Sequence, residues 1–300
     1  MSRPIFSLFA VAVLAGIACP GIASAQEALR VPLETTYIRW QDAMVRKDVD
    51  TWKASTAQSR QMEIRNRLVS EKRAYPAGVF ELPAPPPALK GLKFLQAKQK
   101  GPTAKLSYFG KIDFGIEGVA PTENLLVLSF LQEGAAWKYD RADYVNLAAL
   151  AAVRGELAAG NLRYLDETPD AQPSGVVPPV PPAAPTAKYI AKVYVFCPGR
   201  EVQVQVNKIS RHKFANAKEA EVVIGGALDG LNEVQFTTRK LDGGTGKEAM
   251  TIRVYLLSEY QGVKPIKAFE YQIEANGVPK AVDTRTFIVD AATVAKLNGK

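Results

Sequence analysis

The spacing of apolar residues changes period along the chain, and each change marks a new kind of element. Leu33, Tyr37, Trp40 and Met44 recur at intervals of four, three and four, which makes one face of a helix. Asp48-Val49-Asp50 interrupts that pattern, and Asp48 or Asp50 is placed to cap a short second helix carrying Trp52. A third helix is predicted from Gln58 to Lys72, stopping ahead of Tyr75-Pro76, with Arg60, Arg65 and Arg67 on its exposed face. A PAPPP loop at residues 83–87 follows, and the period drops to two. Leu92–Gln99 and Thr103–Phe114 read as strands. The second sets Ala104, Leu106, Tyr108 and Ile112 against Lys105, Ser107, Lys111 and Asp113. Leu125–Leu131 is apolar on both faces, so each face needs a cover. Helices supply one. A concave pocket, a partner subunit, or the segment Tyr144–Leu165 supplies the other, and that segment itself reads as one or two helices. Trp137–Tyr144 returns after a turn at Glu133-Gly134.

Between Thr168 and Thr186, seven of 19 residues are proline. Such a stretch is a semi-rigid, extended spacer, or a docking peptide for an aromatic groove. Beyond it, Lys188–Asp290 reads as strand and turn throughout. Candidate strands are Tyr189–Cys197, Val202–Asn207, Ala220–Leu228, Asn232–Arg239, Met250–Leu257, Ala268–Glu274 and Arg285–Val289, with turns at Asp229-Gly230, Asp242-Gly243 and Asn276-Gly277. The expected fold is an α+β N-terminal domain over residues 26–166, a linker over 167–187, and an all-β sandwich over 188–300. No internal repeat relates the two halves.

The first residues add a destination. A single Arg3, an uncharged run from Ile5 to Ala18 and Ala23-Ser24-Ala25 make a secretory leader over residues 1–25, cleaved after Ala25. The competing reading is a lipoprotein acylated at Cys19, against which Gly16 stands where leucine is usual. The expected location is periplasmic or extracellular. No later segment is apolar enough to span a membrane. With the leader gone, Cys197 is the one cysteine left and no internal disulfide can form. The formal charge of +8 is spread along the chain without a basic block, which argues against a specific nucleic-acid partner.

Chemistry-bearing motifs are sparse. His212, in SRHKF, is the chain's one histidine. A single histidine builds no multi-histidine metal site, and the residue reads as part of a surface loop. Cys197 reads as a buried, inert thiol. Asp242–Glu248 (DGGTGKE) has a phosphate-loop look but lacks the first glycine and the Ser or Thr after lysine, so it reads as a hairpin loop. No cofactor motif is present.

The helical pair, the aromatic and acidic hairpin at Trp40–Trp52, and a meander ending in Gly134-Ala-Ala-Trp137-Lys138 resemble the NTF2-like (SnoaL-like, cystatin-type cone) superfamily over residues 32–145. The second half resembles immunoglobulin-like sandwiches in architecture, without their Cys–Trp–Cys pattern. The first resemblance implies a bent sheet wrapped around helices and enclosing a pocket. Its members include isomerases, cyclases and dehydratases as well as non-enzymatic scaffolds and dimerisation modules. Tyr37, Trp40, Tyr108, Asp113 and Tyr139 are the candidate pocket residues, and the histidine many such enzymes use is absent from this half. The expectation is an exported, non-catalytic binding protein of a bacterial envelope. Its partners would be a second copy through the N-terminal domain, an envelope protein or a small apolar ligand. The alternative is an isomerase or lyase acting on a hydrophobic small molecule.

Overall fold

The computed structural model describes residues 20–82, 84–114 and 120–300. The leader's apolar run and Cys19 lie outside them. Helix α1 spans Pro20–Arg46, α2 Val49–Ser55 and α3 Gln58–Ser70. The α1 face read from the spacing is the buried one: Leu33 and Tyr37 are enclosed, Met44 nearly so and Trp40 partly. Asp48 is the cap of α2. Its carboxylate accepts from the Thr51 amide at 3.0 Å and the Thr51 hydroxyl at 2.7 Å. Those bonds hold it below the usual carboxylate range and satisfy an amide that the first helical turn leaves open.

Strands β1 (Lys93–Lys100), β2 (Thr103–Ile112), β3 (Thr122–Glu133) and β4 (Ala136–Asn146) pair antiparallel in chain order. Both faces of β3 are buried. On one, Leu126, Leu128 and Phe130 pack against Leu33 and Tyr37 of α1. On the other, helices α4 (Ala151–Ala159) and α5 (Arg163–Glu167) bring Leu157 and Leu165 onto Leu125, Val127 and Phe109. The segment after Tyr144 is therefore the second cover of β3. The same cover corrects the expected polar face of β2. Lys105 and Ser107 are buried, and the Lys105 ammonium donates to the carbonyl of Asp170.

The second half holds β5 (Ile190–Phe196), β6 (Arg200–Val206), β7 (Ser210–Ala215), β8 (Lys218–Val222), β9 (Gly230–Lys240), β10 (Met250–Leu257), β11 (Ile266–Ile273) and β12 (Val282–Val289). They form two antiparallel sheets, ordered β11-β10-β5-β8 and β12-β9-β6-β7. The inward residues of both, among them Val193, Val204, Phe236, Ile252 and Phe287, make one core. Among the described residues the chain is thus mixed α+β, mostly strand, with three antiparallel sheets.

Three expectations for this half are corrected. The loop at Asp242–Glu248 is no hairpin, because β9 and β10 lie in different sheets. The predicted strand over Ala220–Leu228 stops at Val222, where Gly225 and Gly226 take positive φ. The chain also closes on a helix, α6 (Ala291–Leu297), capped by Asp290 accepting from the Thr293 amide at 2.7 Å.

Candidate functional site

Where α1 crosses the first sheet, Tyr37 and Trp40 stand one turn apart and face Tyr139 of β4. Ring centroids lie 5.6 Å apart for Tyr37–Trp40, 5.4 Å for Tyr37–Tyr139 and 4.1 Å for Trp40–Tyr139, and Phe130 follows 6.0 Å from Tyr139. Rings at these separations are in contact. The loop before β1 lies over them: the Tyr37 hydroxyl donates to the carbonyl of Pro87 at 2.8 Å, and the Gln41 amide to that of Pro86 at 2.8 Å. Burial pushes the hydroxyls of Tyr37 and Tyr139 well above the usual tyrosine range. Neither phenol is a ready proton donor or acceptor at neutral pH.

Tyr108 faces the same core but belongs to another network. Its hydroxyl donates to Glu34 Oε1 at 2.5 Å, Arg30 Nε donates to the same oxygen at 2.8 Å, and the Arg30 guanidinium lies 4.2 Å over the Phe94 ring. Asp113 stands exposed past the end of β2. The structure therefore groups three of the five candidates, leaving Tyr108 in its own cluster and Asp113 at the rim.

The residue that sequence reading missed is Asp140. A bulge in β4 opposite Ser129 and Phe130 leaves it without a cross-strand partner, directly after Tyr139. An inserted residue breaks the period of two, so the alternation that places side chains elsewhere gives no signal here. Asp140 is partly buried, and desolvation lifts its carboxyl above the usual range although Arg141 and Arg60 pull the other way. A raised folded-state value means that the folded chain holds this proton to higher pH than the unfolded one. Stability from this group is then full at low pH and is lost as pH rises through the carboxylate range. Asp140→Asn is expected to raise the melting temperature at neutral pH and to leave it unchanged at acidic pH, where the native side chain is already neutral. A pH series of thermal melts on the two proteins checks this.

Two clefts lie elsewhere. One of about 560 Å³ is bordered by Val69, Lys72, Arg73 and Lys188. Each of its cations is already paired: Lys72 with Glu259, Arg73 with Glu81 at 2.7 Å, and Lys188 with Asp229. The other, of about 480 Å³, is bordered by Lys90, Lys93, Lys111 and Glu123. Lys93 there caps α4 by donating to the carbonyls of Leu157 and Ala158 at 3.3 and 2.6 Å.

His212 is not in a surface loop. It sits on β7, whose Ser210, His212 and Phe214 point inward while Arg211 and Lys213 point out. Ser210 Oγ lies 2.6 Å from His212 Nε2, and His212 Nδ1 lies 2.6 Å from Glu221 Oε2. That is the order of a nucleophile, base and orienting acid. The surroundings make it a strut instead. Ser210 is fully enclosed, and its Oγ accepts from the Ile224 amide at 2.7 Å. Ser210, His212 and Glu221 form one hydrogen-bonded chain that ties β7 to β8. Cys197 is buried, and desolvation pushes its thiol up.

Among the described residues no group of three or more metal-ligating side chains occurs, and no helix is long and apolar enough to cross a membrane. The chain matches no protein-family model, no curated protein and no solved structure.

Proposed function

We propose that this chain is an exported, non-catalytic interaction protein of a bacterial envelope. In this reading an NTF2-like α+β unit (residues 26–166) is joined by the proline-rich segment (167–187) to an immunoglobulin-like sandwich (188–300). The observation that carries it is the ring cluster of Tyr37, Trp40, Tyr139 and Phe130. Where a cone fold would enclose a ligand, this chain puts its own side chains in mutual contact. Recognition then falls to the outside of the molecule, with an envelope protein as the partner. The leader pattern supports export, and the helices-then-meander order supports the NTF2-like assignment. Helices α4 and α5 are an addition beyond that pattern.

An isomerase or lyase acting on a hydrophobic small molecule is the second reading. Asp140 favours it, as a partly buried carboxyl with a raised proton affinity next to Tyr139. Native mass spectrometry of the chain from Gln26 onward, mixed with an extract of its own envelope, separates the two. A protein complex carrying no small molecule supports the interaction reading. A retained apolar molecule, released on Asp140→Asn or Tyr139→Ala substitution, overturns it in favour of the enzyme.

A further inference from the structure

We infer that helix α3 is a peptide-reading surface for an extended segment rich in proline and alanine, and that its occupant is this chain's own Pro181–Ala187. The contacts run along the segment in order. Asn66 is 4 % exposed and uses both atoms of its side-chain amide. Its Nδ2 donates to the carbonyl of Pro182 at 2.9 Å, and its Oδ1 accepts from the amide of Ala184 at 2.8 Å. Arg65 donates to the carbonyl of Ala184 at 3.0 Å. The Val69 carbonyl, near the helix end, accepts from the amide of Ala187 at 3.2 Å as well as from that of Lys72 at 3.3 Å. One residue further along, Ser70 Oγ accepts from the amide of Gly225 at 2.8 Å, so the same helix reaches the second half directly.

These contacts read backbone, not side chains, and the sequence of the segment fits them position by position. The amides that donate belong to Ala184 and Ala187. The prolines fall where no donor is required, since Pro182 contributes a carbonyl only and Pro185 points outward. The two residues turned toward the protein are both alanine, 4 % and 3 % exposed. Between them Pro185 and Thr186 are exposed. A segment held extended by its prolines loses little conformational entropy on docking, which is how proline-rich peptides serve as ligands. Residues 176–180 are exposed, in contrast, and fit the spacer expected from composition. The spacer is therefore short, and a clasp follows it. The halves are fastened through α3 as one body. The inference stands whether or not the interaction reading holds.

Hydrogen–deuterium exchange on the full chain tests it. The amides of Ala184 and Ala187 are expected to exchange at least about a hundredfold more slowly than those of Val176, Val177 and Val180. Asn66→Ala should abolish protection at Ala184 while the amides of α1 and β3 keep theirs. Asn66→Asp, which keeps the acceptor and loses the donor, should leave part of it. Ala184→Arg attacks the clasp from the other side and should give the same local loss with α3 intact. Rapid exchange at Ala184 and Ala187 in the native chain overturns the inference, as does full protection in both Asn66→Ala and Ala184→Arg. Protection that appears only as protein concentration rises would put the segment in a second copy's groove and overturn the intramolecular clasp.

Discussion

Replacing Trp52 with alanine is expected to cost about 3–5 kcal/mol of stability, the range for deleting a large buried aromatic. Trp52 is fully enclosed among Ala43 and Met44 of α1, Leu68 of α3 and Val79, with the Tyr75 ring edge-on at 6.4 Å. Helix α2 is seven residues long, too short to persist without tertiary contacts, and Trp52 is its anchor. Losing the indole frees α2 as well as leaving a cavity between α1 and α3. The indole N–H, however, has no hydrogen-bond partner among the described residues. Trp52→Phe keeps most of the apolar volume and removes a buried donor that receives nothing in return. It is expected to cost less than about 1.5 kcal/mol. Urea unfolding of the two variants beside the native chain measures both. A phenylalanine variant as unstable as the alanine one would show that the N–H is used.

Gly226→Ala is expected to cost about 3 kcal/mol or more, for one added methyl group. Gly226 takes φ +66, and a Cβ there would sit 2.3 Å from the carbonyl oxygen of Tyr189 and 2.5 Å from Cβ of Ala187. Left-handed backbone alone costs a substituted residue about 1–3 kcal/mol. The Tyr189 carbonyl cannot withdraw, because it accepts from the amide of Ala227 at 2.9 Å while Tyr189 donates back to Ala227 at 3.3 Å. Ala187 cannot withdraw without leaving the Val69 carbonyl. Gly243→Ala is the control. It has φ +83 with nothing within 4 Å of the added carbon, so only the backbone term applies, about 1–2 kcal/mol. Equal losses in the two variants would refute the steric account.

Local rules were enough for much of the fold. The period of Leu33, Tyr37 and Met44 identified the buried face of α1, and Asp48 was legible as a cap because an acid at that point has a helix start to serve. The two-sided character of β3 was legible too, although what covers it depends on how α4 and α5 return, which no local pattern encodes. Strand β7 was missed because its inward residues begin with Ser210 and His212. Each is polar by type and made compatible with burial only by Glu221 and the Ile224 amide. Helix α6 was missed because it is only seven residues, about two capped turns, at the end of a strand-rich region. Within the site, Tyr37, Trp40 and Tyr139 were named from their types and converge in space. Asp140 was hidden by a bulge, and Asp113 was proposed from an alternation that ends before reaching it. Asn66 illustrates the limit most sharply. On α3 it reads as one more polar surface position, and its partners lie 116 and 118 residues further along the chain.

The pairing order of the strands also sets a timetable. In the first sheet every strand pairs with its sequence neighbour, β1 to β2 to β3 to β4, and the covering helices follow at once. A ribosome that has made little more than half the chain has delivered everything this sheet needs. In the second half only the β6–β7 and β10–β11 pairs join sequence neighbours, while β5 must wait for β8 and β10, and β6 for β9. Non-local pairing of this kind is slow and leaves strand edges open meanwhile. Pro182 and Ala184 precede β5, so the Asn66 contacts can close while the edges of β5 and β6 are still open. The nascent chain is then most exposed to capture, by a chaperone or by another copy of itself.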